Sequence, residues 1–140
     1  MVVINLNIDP KPLKRARTSV RGNYVNTYYD KKSKAEMDDL RFTLISAVNK
    51  LPQEQRDKLL IDKPIEVDLT FNMPFPKSYS KKKRAELLAT PHMLIPDLDN
   101  LIKNVLDRAD NILWNNDKYI WNIKARKVWS EQGSIIIVID

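Results

Sequence analysis

Pro96-Asp97-Leu98-Asp99-Asn100-Leu101-Ile102-Lys103-Asn104-Val105-Leu106-Asp107 holds the clearest periodicity in the chain. Leu98, Leu101, Ile102, Val105, Leu106 and then Ala109 recur at i, i+3, i+4, i+7, i+8 and i+11, one apolar stripe along an amphipathic helix. Proline suits only the first turn of a helix and holds the residue before it extended, so the helix opens beside Pro96. Asp110-Asn111 and Asn115-Asn116-Asp117 are turn formers that bound it on the other side.

That stripe needs a surface to cover, and the flanking sequence predicts strands. Ile65, Val67, Leu69 and Phe71 alternate with polar residues until Pro74 and Pro76 close the run. Two further strands are predicted at about 119–129 and 134–139, and residues 2–8 alternate until Asp9-Pro10. Ser33-Lys34-Ala35-Glu36 reads as a capping box, opening a second helix with Met37, Leu40, Leu44, Ala47, Val48 and Leu51 on one stripe, which ends at Pro52. Residues 53–62 read as a short helix or loop, and another short helix is predicted near Ala85–Ala89. Tyr24, Tyr28 and Tyr29 fit a short strand. There is no repeat, low-complexity tract or linker, so the expectation is one α+β domain over residues 1–140, with helices packed on a mixed β-sheet.

Composition excludes several chemistries. With no cysteine, disulfides, zinc-thiolate sites and thiol catalysis are ruled out, which fits a reducing cytoplasm. His92 is the single histidine, so no mechanism can use two, and it reads as a loop residue. Two glycines, Gly22 and Gly133, build neither a P-loop nor a dinucleotide fingerprint, so no small-molecule cofactor is expected. No apolar run nears the roughly 20 residues that span a bilayer, and no secretory signal is visible. Any catalysis falls to Asp, Glu and Lys.

The formal charge of +6 favours a polyanionic partner, nucleic acid ahead of an acidic membrane face, because no basic amphipathic helix with a broad apolar face is present. The cations cluster in a proline-punctuated arm, Lys11 to Arg21, with Lys14, Arg15 and Arg17, and in a block holding Lys77, Lys81, Lys82, Lys83 and Arg84 around Tyr79. Either run reads as a solvated face or as a phosphate-binding surface. Trp114, Trp121 and Trp129 read as core or rim aromatics.

Asp97 and Asp99 admit two readings. Each alone fits a helix cap or a first-turn acid favoured by the helix dipole, Asp99 with Lys103 fits an i,i+4 ion pair, and Asp117 fits a turn. In a regular helix, Asp97 and Asp99 would point about 200° apart. If the chain at Asp97 is still extended, they instead converge at the helix mouth, as oxygen ligands that suit Mg²⁺. Both cannot be N-caps, and only carboxylates are available for catalysis. Lys103, one turn after Asp99, would reach a phosphate oxygen or restrain a carboxylate.

The segment Pro96 to Asp107 resembles the RusA family of Holliday-junction resolvases, which carry Pro-Asp-x-Asp-Asn-Leu-x-Lys running into a Leu-Asp helix, then an Asp-Asp turn and a strand with a lysine near its end. Here these are Asp97, Asp99, Asn100, Lys103, Leu106 and Asp107, then Asp117, then Lys127; Pro10, Pro12, Arg15 and Arg17 echo the family's N-terminal arm. The resemblance implies that Asp97, Asp99 and Asp117 are catalytic metal-binding acids, that Lys103 is an auxiliary catalytic residue and that Lys127 joins the DNA-binding cations. Two positions depart: Asn116 stands where the turn's first acid would be, and Leu13 where the arm's lysine would be, with Lys14 one step on.

The function expected is Mg²⁺-dependent, Mn²⁺-tolerant endonucleolytic cleavage of four-way DNA junctions in recombination and repair, leaving 5′-phosphate and 3′-hydroxyl nicks, in the cytoplasm of a bacterium or from a phage gene. Two symmetric cuts require two sites, so a homodimer is expected, with some of Trp114, Trp121 and Trp129 at its interface. A non-catalytic basic DNA-binding module is the alternative. A restriction-like nuclease is disfavoured, since Asn122-Ile123-Lys124 has asparagine where its second acid belongs.

Overall fold

Alternate residues of one long strand are buried along its whole length, and the sheet is organised around it. The computed structural model describes residues 1–13 and 16–140. In chain order these form β1 (Val2–Leu6), β2 (Arg17–Arg21), β3 (Tyr24–Tyr28), α1 (Lys31–Asn49), α2 (Gln53–Arg56), β4 (Ile65–Pro74), α3 (Lys81–Leu87), α4 (Leu98–Ala109), β5 (Ile120–Ser130) and β6 (Ser134–Ile139). The main sheet runs β1-β6-β4-β5. β6 is antiparallel to β1 and β4, and β5 is parallel to β4, so the sheet is mixed and the class α+β, as the alternation predicts.

One face of this sheet is the core. Ile4 and Leu6 of β1, Leu69 and Phe71 of β4 and Ile135 and Ile137 of β6 are sealed from solvent. Leu40 and Leu44 of α1 and Leu101, Val105 and Ala109 of α4 complete the same cluster. Each fully buried aliphatic side chain stabilises the fold by about 1.5–3 kcal/mol relative to leaving it exposed. Trp114, in the turn after α4, lies wholly inside this core. Trp129 is also buried, so of the three tryptophans expected near an interface only Trp121 is exposed.

Three local readings are corrected. α1 opens at Lys31, two residues before the expected capping box, because Asp30 Oδ1 accepts the Ser33 amide at 2.7 Å. Ser33 is therefore a buried first-turn residue and caps nothing. The basic arm read as Lys11 to Arg21, with no strand assigned in it, becomes a strand from Arg17, pairing with β3 as a separate two-stranded sheet. Gly22, at φ 58°, supplies the positive φ that its two-residue turn requires. Finally, Lys81 to Arg84 form α3 itself rather than leading into it, with Ser80 Oγ accepting the Lys83 amide at 3.1 Å.

Replacing the true cap should be felt and replacing the false one should not. Asp30→Ala is expected to lose about 1 kcal/mol in urea unfolding. Ser33→Ala should change stability by a few tenths at most; a larger loss from Ser33→Ala than from Asp30→Ala would reverse the assignment.

Candidate active site

The loop entering α4 is laid against β5 by backbone bonds. Ala89 N donates to Trp129 O, Trp129 N to Thr90 O and His92 N to Lys127 O, each at 3.0 Å. Lys127 completes the attachment: its ammonium donates to the carbonyls of Leu94 and Pro96, the latter at 2.7 Å. Beneath, the Trp129 ring stacks on Phe75 at 5.3 Å and meets His92 at 4.3 Å between centroids. His92 is in a loop, as expected, yet it is buried and its Nδ1 has no hydrogen-bond partner among the described residues.

Asp97 follows directly. It occupies the N-cap of α4 with extended backbone (φ −67°, ψ 143°), and its carbonyl accepts the Leu101 amide at 3.3 Å, but its carboxylate caps nothing. Asp99 lies in the first turn, exposed like Asp97. Neither carboxylate takes a hydrogen bond or ion pair from a described residue, and Asp99 and Lys103 are not joined. Lys103 and Asp107 are exposed on the polar face of the same helix.

A cleft of about 490 Å³ opens beside Asp97, lined also by Lys11, Lys32, Glu36, Pro96 and Asn100. Glu36 Oε2 is shielded from solvent and has no partner among the described residues. Lys11, Lys32 and Glu36 escape a reading of the sequence because they reach the cleft by tertiary contact, from the arm and from α1. The arm is held there by two bonds: Asn104 Nδ2 donates to Lys11 O at 3.0 Å, and Leu13 N to Asn100 O at 3.3 Å.

Asp117 sits at the other end of α4, opening a 3₁₀ turn at Asp117–Tyr119. It lies close to Asp110, the C-cap of α4, which also feels the charge of Asp107. Burial, then the charges of Asp117 and Asp107, raise the Asp110 carboxyl above its ordinary 3.8, opposed by hydrogen bonds from the Trp114 indole (3.0 Å) and the Asp117 amide. Since α4 rises ~1.5 Å per residue over 12 residues, its two acidic ends lie about 18 Å apart. Among the described residues no three acids come together as a cation site, so one protomer does not unite Asp97 and Asp99 with Asp117.

The expected DNA-binding cations divide by occupation. Arg84 is a strut: its guanidinium donates to Tyr79 O at 3.0 Å and Pro76 O at 3.3 Å and meets Glu131 at 3.4 Å. Lys83 lies over the Tyr79 ring at 3.8 Å and Arg17 pairs with Asp30 at 3.2 Å. Lys77, Lys81 and Lys82 are exposed, with no acid partner among the described residues. Lys14 and Arg15 lie outside the described residues.

A family model for the endodeoxyribonuclease RusA matches residues 7–140. The chain belongs to the RusA endodeoxyribonuclease family. It is also similar to the uncharacterized protein YqaN of Bacillus subtilis (strain 168), 28% identical over 90 residues, which is 61% of this chain. That match spans 63% of the length of YqaN. No helix among the described residues is long and apolar enough to cross a membrane.

His92 gives this region a pH dependence. Burial, then the positive charge of Lys127, hold its pKa below the ordinary 6.5. As pH falls below 6.5 the unfolded chain takes up the proton first, so stability present above that value is lost until the folded imidazole also protonates. His92→Gln should flatten this part of the stability profile, measured by urea unfolding across the range; equal slopes in both proteins would show that His92 does not set it.

Proposed function

We propose that this chain is a structure-selective endonuclease that resolves Holliday junctions by hydrolysing phosphodiester bonds in branched DNA during recombination and repair. Mg²⁺ is its proposed cofactor, with Mn²⁺ able to substitute. The observation that carries this reading is the Asp97 carboxylate, which stands at a helix N-cap without capping it, next to Asp99 and beside a cleft flanked by Lys11 and Lys32. Membership of the RusA family supports both the chemistry and the branched substrate.

Carboxylate oxygens are the donors a hard cation takes, but three of them do not fit one site within a protomer. A two-fold homodimer would remove the difficulty if it set the N-terminal end of one α4 against the C-terminal end of the other. Asp97 and Asp99 of one protomer would then face Asp117 of its partner, and each dimer would hold two equivalent sites for two symmetric nicks. Trp121, 67% exposed, is the tryptophan still free to enter such an interface.

The chain's own cations act on the phosphates. Lys11 and Lys32, flanking Asp97, would hold the backbone across the cleft, and Lys77, Lys81 and Lys82 would extend that hold without reading sequence. Lys103 would offset the charge that develops on the scissile phosphate.

Asp97→Asn, Asp99→Asn and Asp117→Asn should each lower junction cleavage by roughly two orders of magnitude or more while retaining binding. Near wild-type cutting by any of them would remove that residue from the site. A mixture of the Asp97→Asn and Asp117→Asn proteins should regain activity, because the mixed dimer holds one intact site if sites are shared between protomers; no recovery would place all three acids in one chain. A wild-type protein that binds junctions but cuts none in Mg²⁺ or Mn²⁺ would instead be a non-catalytic module.

A further inference from the structure

β2 and β3 form a ribbon with two unlike faces. Its register pairs Arg17 with Tyr28, Ser19 with Asn26 and Arg21 with Tyr24, and in the alternate positions Thr18 with Thr27 and Val20 with Val25. Directly opposed residues share a face, so one side carries only arginine, tyrosine, asparagine and serine, and the other only threonine and valine. Nine of the ten strand residues are exposed, so the domain covers neither side. Tyr24, next to the turn, is 81% exposed.

Both ends of the ribbon are rooted at the Asp97 cleft. Before β2, Lys11 and Leu13 are bonded to Asn104 and Asn100 of α4. After β3, Asp30 caps α1, whose Lys32 and Glu36 line the cleft beside Asp97. From that root, five residues at ~3.4 Å each reach about 17 Å. A two-stranded ribbon of this kind fits a major groove about 12 Å wide.

Charge selects the occupant. Residues 10–29 hold five cations and no acid, and Arg21 has no acid partner among the described residues. Two valines on the other face fall well short of the roughly 800 Å² per partner that a stable protein interface buries.

We propose that the Arg-Tyr-Asn face of this ribbon is a DNA-binding surface projecting from the rim of the active site, with Arg21 and Arg17 on backbone phosphates and Tyr24 stacked on bases unpaired at the branch point. The role of Tyr24 rests on the branched-DNA function proposed above. Arg17 keeps Asp30 at 3.2 Å and still has N–H groups to give a phosphate, since a guanidinium carries five. Aromatic stacking tolerates any base but requires one that is out of the duplex stack, so Tyr24 confers selectivity for structure rather than for sequence.

The test is anisotropy binding in EDTA to a four-way junction and to a linear duplex of equal length. Arg21→Ala should weaken both and lower the slope of log affinity against log salt by about 0.9. Tyr24→Ala should weaken the junction about ten-fold with little effect on duplex, and Tyr24→Phe should restore it. A 2-aminopurine at the branch point should be quenched by wild type and by Tyr24→Phe, but not by Tyr24→Ala. Wild-type binding by both alanine variants would overturn the proposal. So would a shift from dimer to monomer without loss of DNA affinity, which would make the ribbon a contact between copies. A wild-type protein that binds duplex as tightly as junction would overturn the branched-DNA function and the stacking role, while the Arg21 salt slope would still decide whether the ribbon binds DNA.

Discussion

β4 and β5 are parallel neighbours, and parallel strands cannot be joined by a tight turn. The chain leaving Pro74 must therefore return to the opposite end of the strands, where β4 began, before β5 can start beside it. It goes out along α3 and the loop bonded to β5, and comes back along α4. That return fixes where each acid falls. Asp97 and Asp99 are left beside the C-terminal half of β5, where Lys127 holds the loop, and Asp110 and Asp117 are carried to the end where β5 starts. The cleft thus opens toward the carboxyl ends of a parallel strand pair, the position at which open sheets with parallel strands characteristically bind ligands.

Local stability is given up at that same point. Three helices begin at residues able to cap them, and Asp30 and Ser80 both do so through their side chains. Asp97 has the backbone of a cap and leaves its carboxylate unused, forgoing a contact that is typically worth ~1 kcal/mol. The loop keeps its geometry by other means: two charge-assisted bonds from Lys127, three backbone bonds to β5, and the His92–Trp129–Phe75 stack. A broken local rule with compensation placed around it is the expected signature of a functional position.

The α4 stripe, the alternation of β4 and β6 and the mixed sheet were legible because each is a periodic pattern matched to one buried face. What was not legible was decided by competition or by distance. Ser33 with Glu36 satisfied the capping-box pattern, but Asp30, three residues earlier, captures the Ser33 amide first. The β2–β3 ribbon was half seen: the tyrosines suggested a strand, yet its arginine partner strand lacks apolar alternation, and the Gly22-Asn23 turn was the signal that pairs them. Asp97 and Asp99 stood out by spacing, whereas Glu36, Lys11 and Lys32 join them only through the fold. The resemblance grouped Asp117 with Asp97 and Asp99, and within one protomer the 12-residue α4 lies between them.

The positive charge, finally, is not a property of the whole surface. Residues 10–29 and 77–84 contain ten of the 24 cations and no acid, so the other 112 residues carry 14 cations against 18 acids and are net acidic. Within those two stretches some cations are spent on structure: Arg84 ties α3 to the turn before it, and Arg17 ties the ribbon to the start of α1. Among the described residues, the exposed Arg21, Lys77, Lys81 and Lys82 have no comparable structural task. On a body that otherwise repels polyanions, two such islands give a phosphate backbone few places to lie, and one of them is anchored to the cleft that holds Asp97. Electrostatic attraction alone would bind DNA in any pose; under the function proposed above, restricting it to these islands would also orient the strand toward the carboxylates.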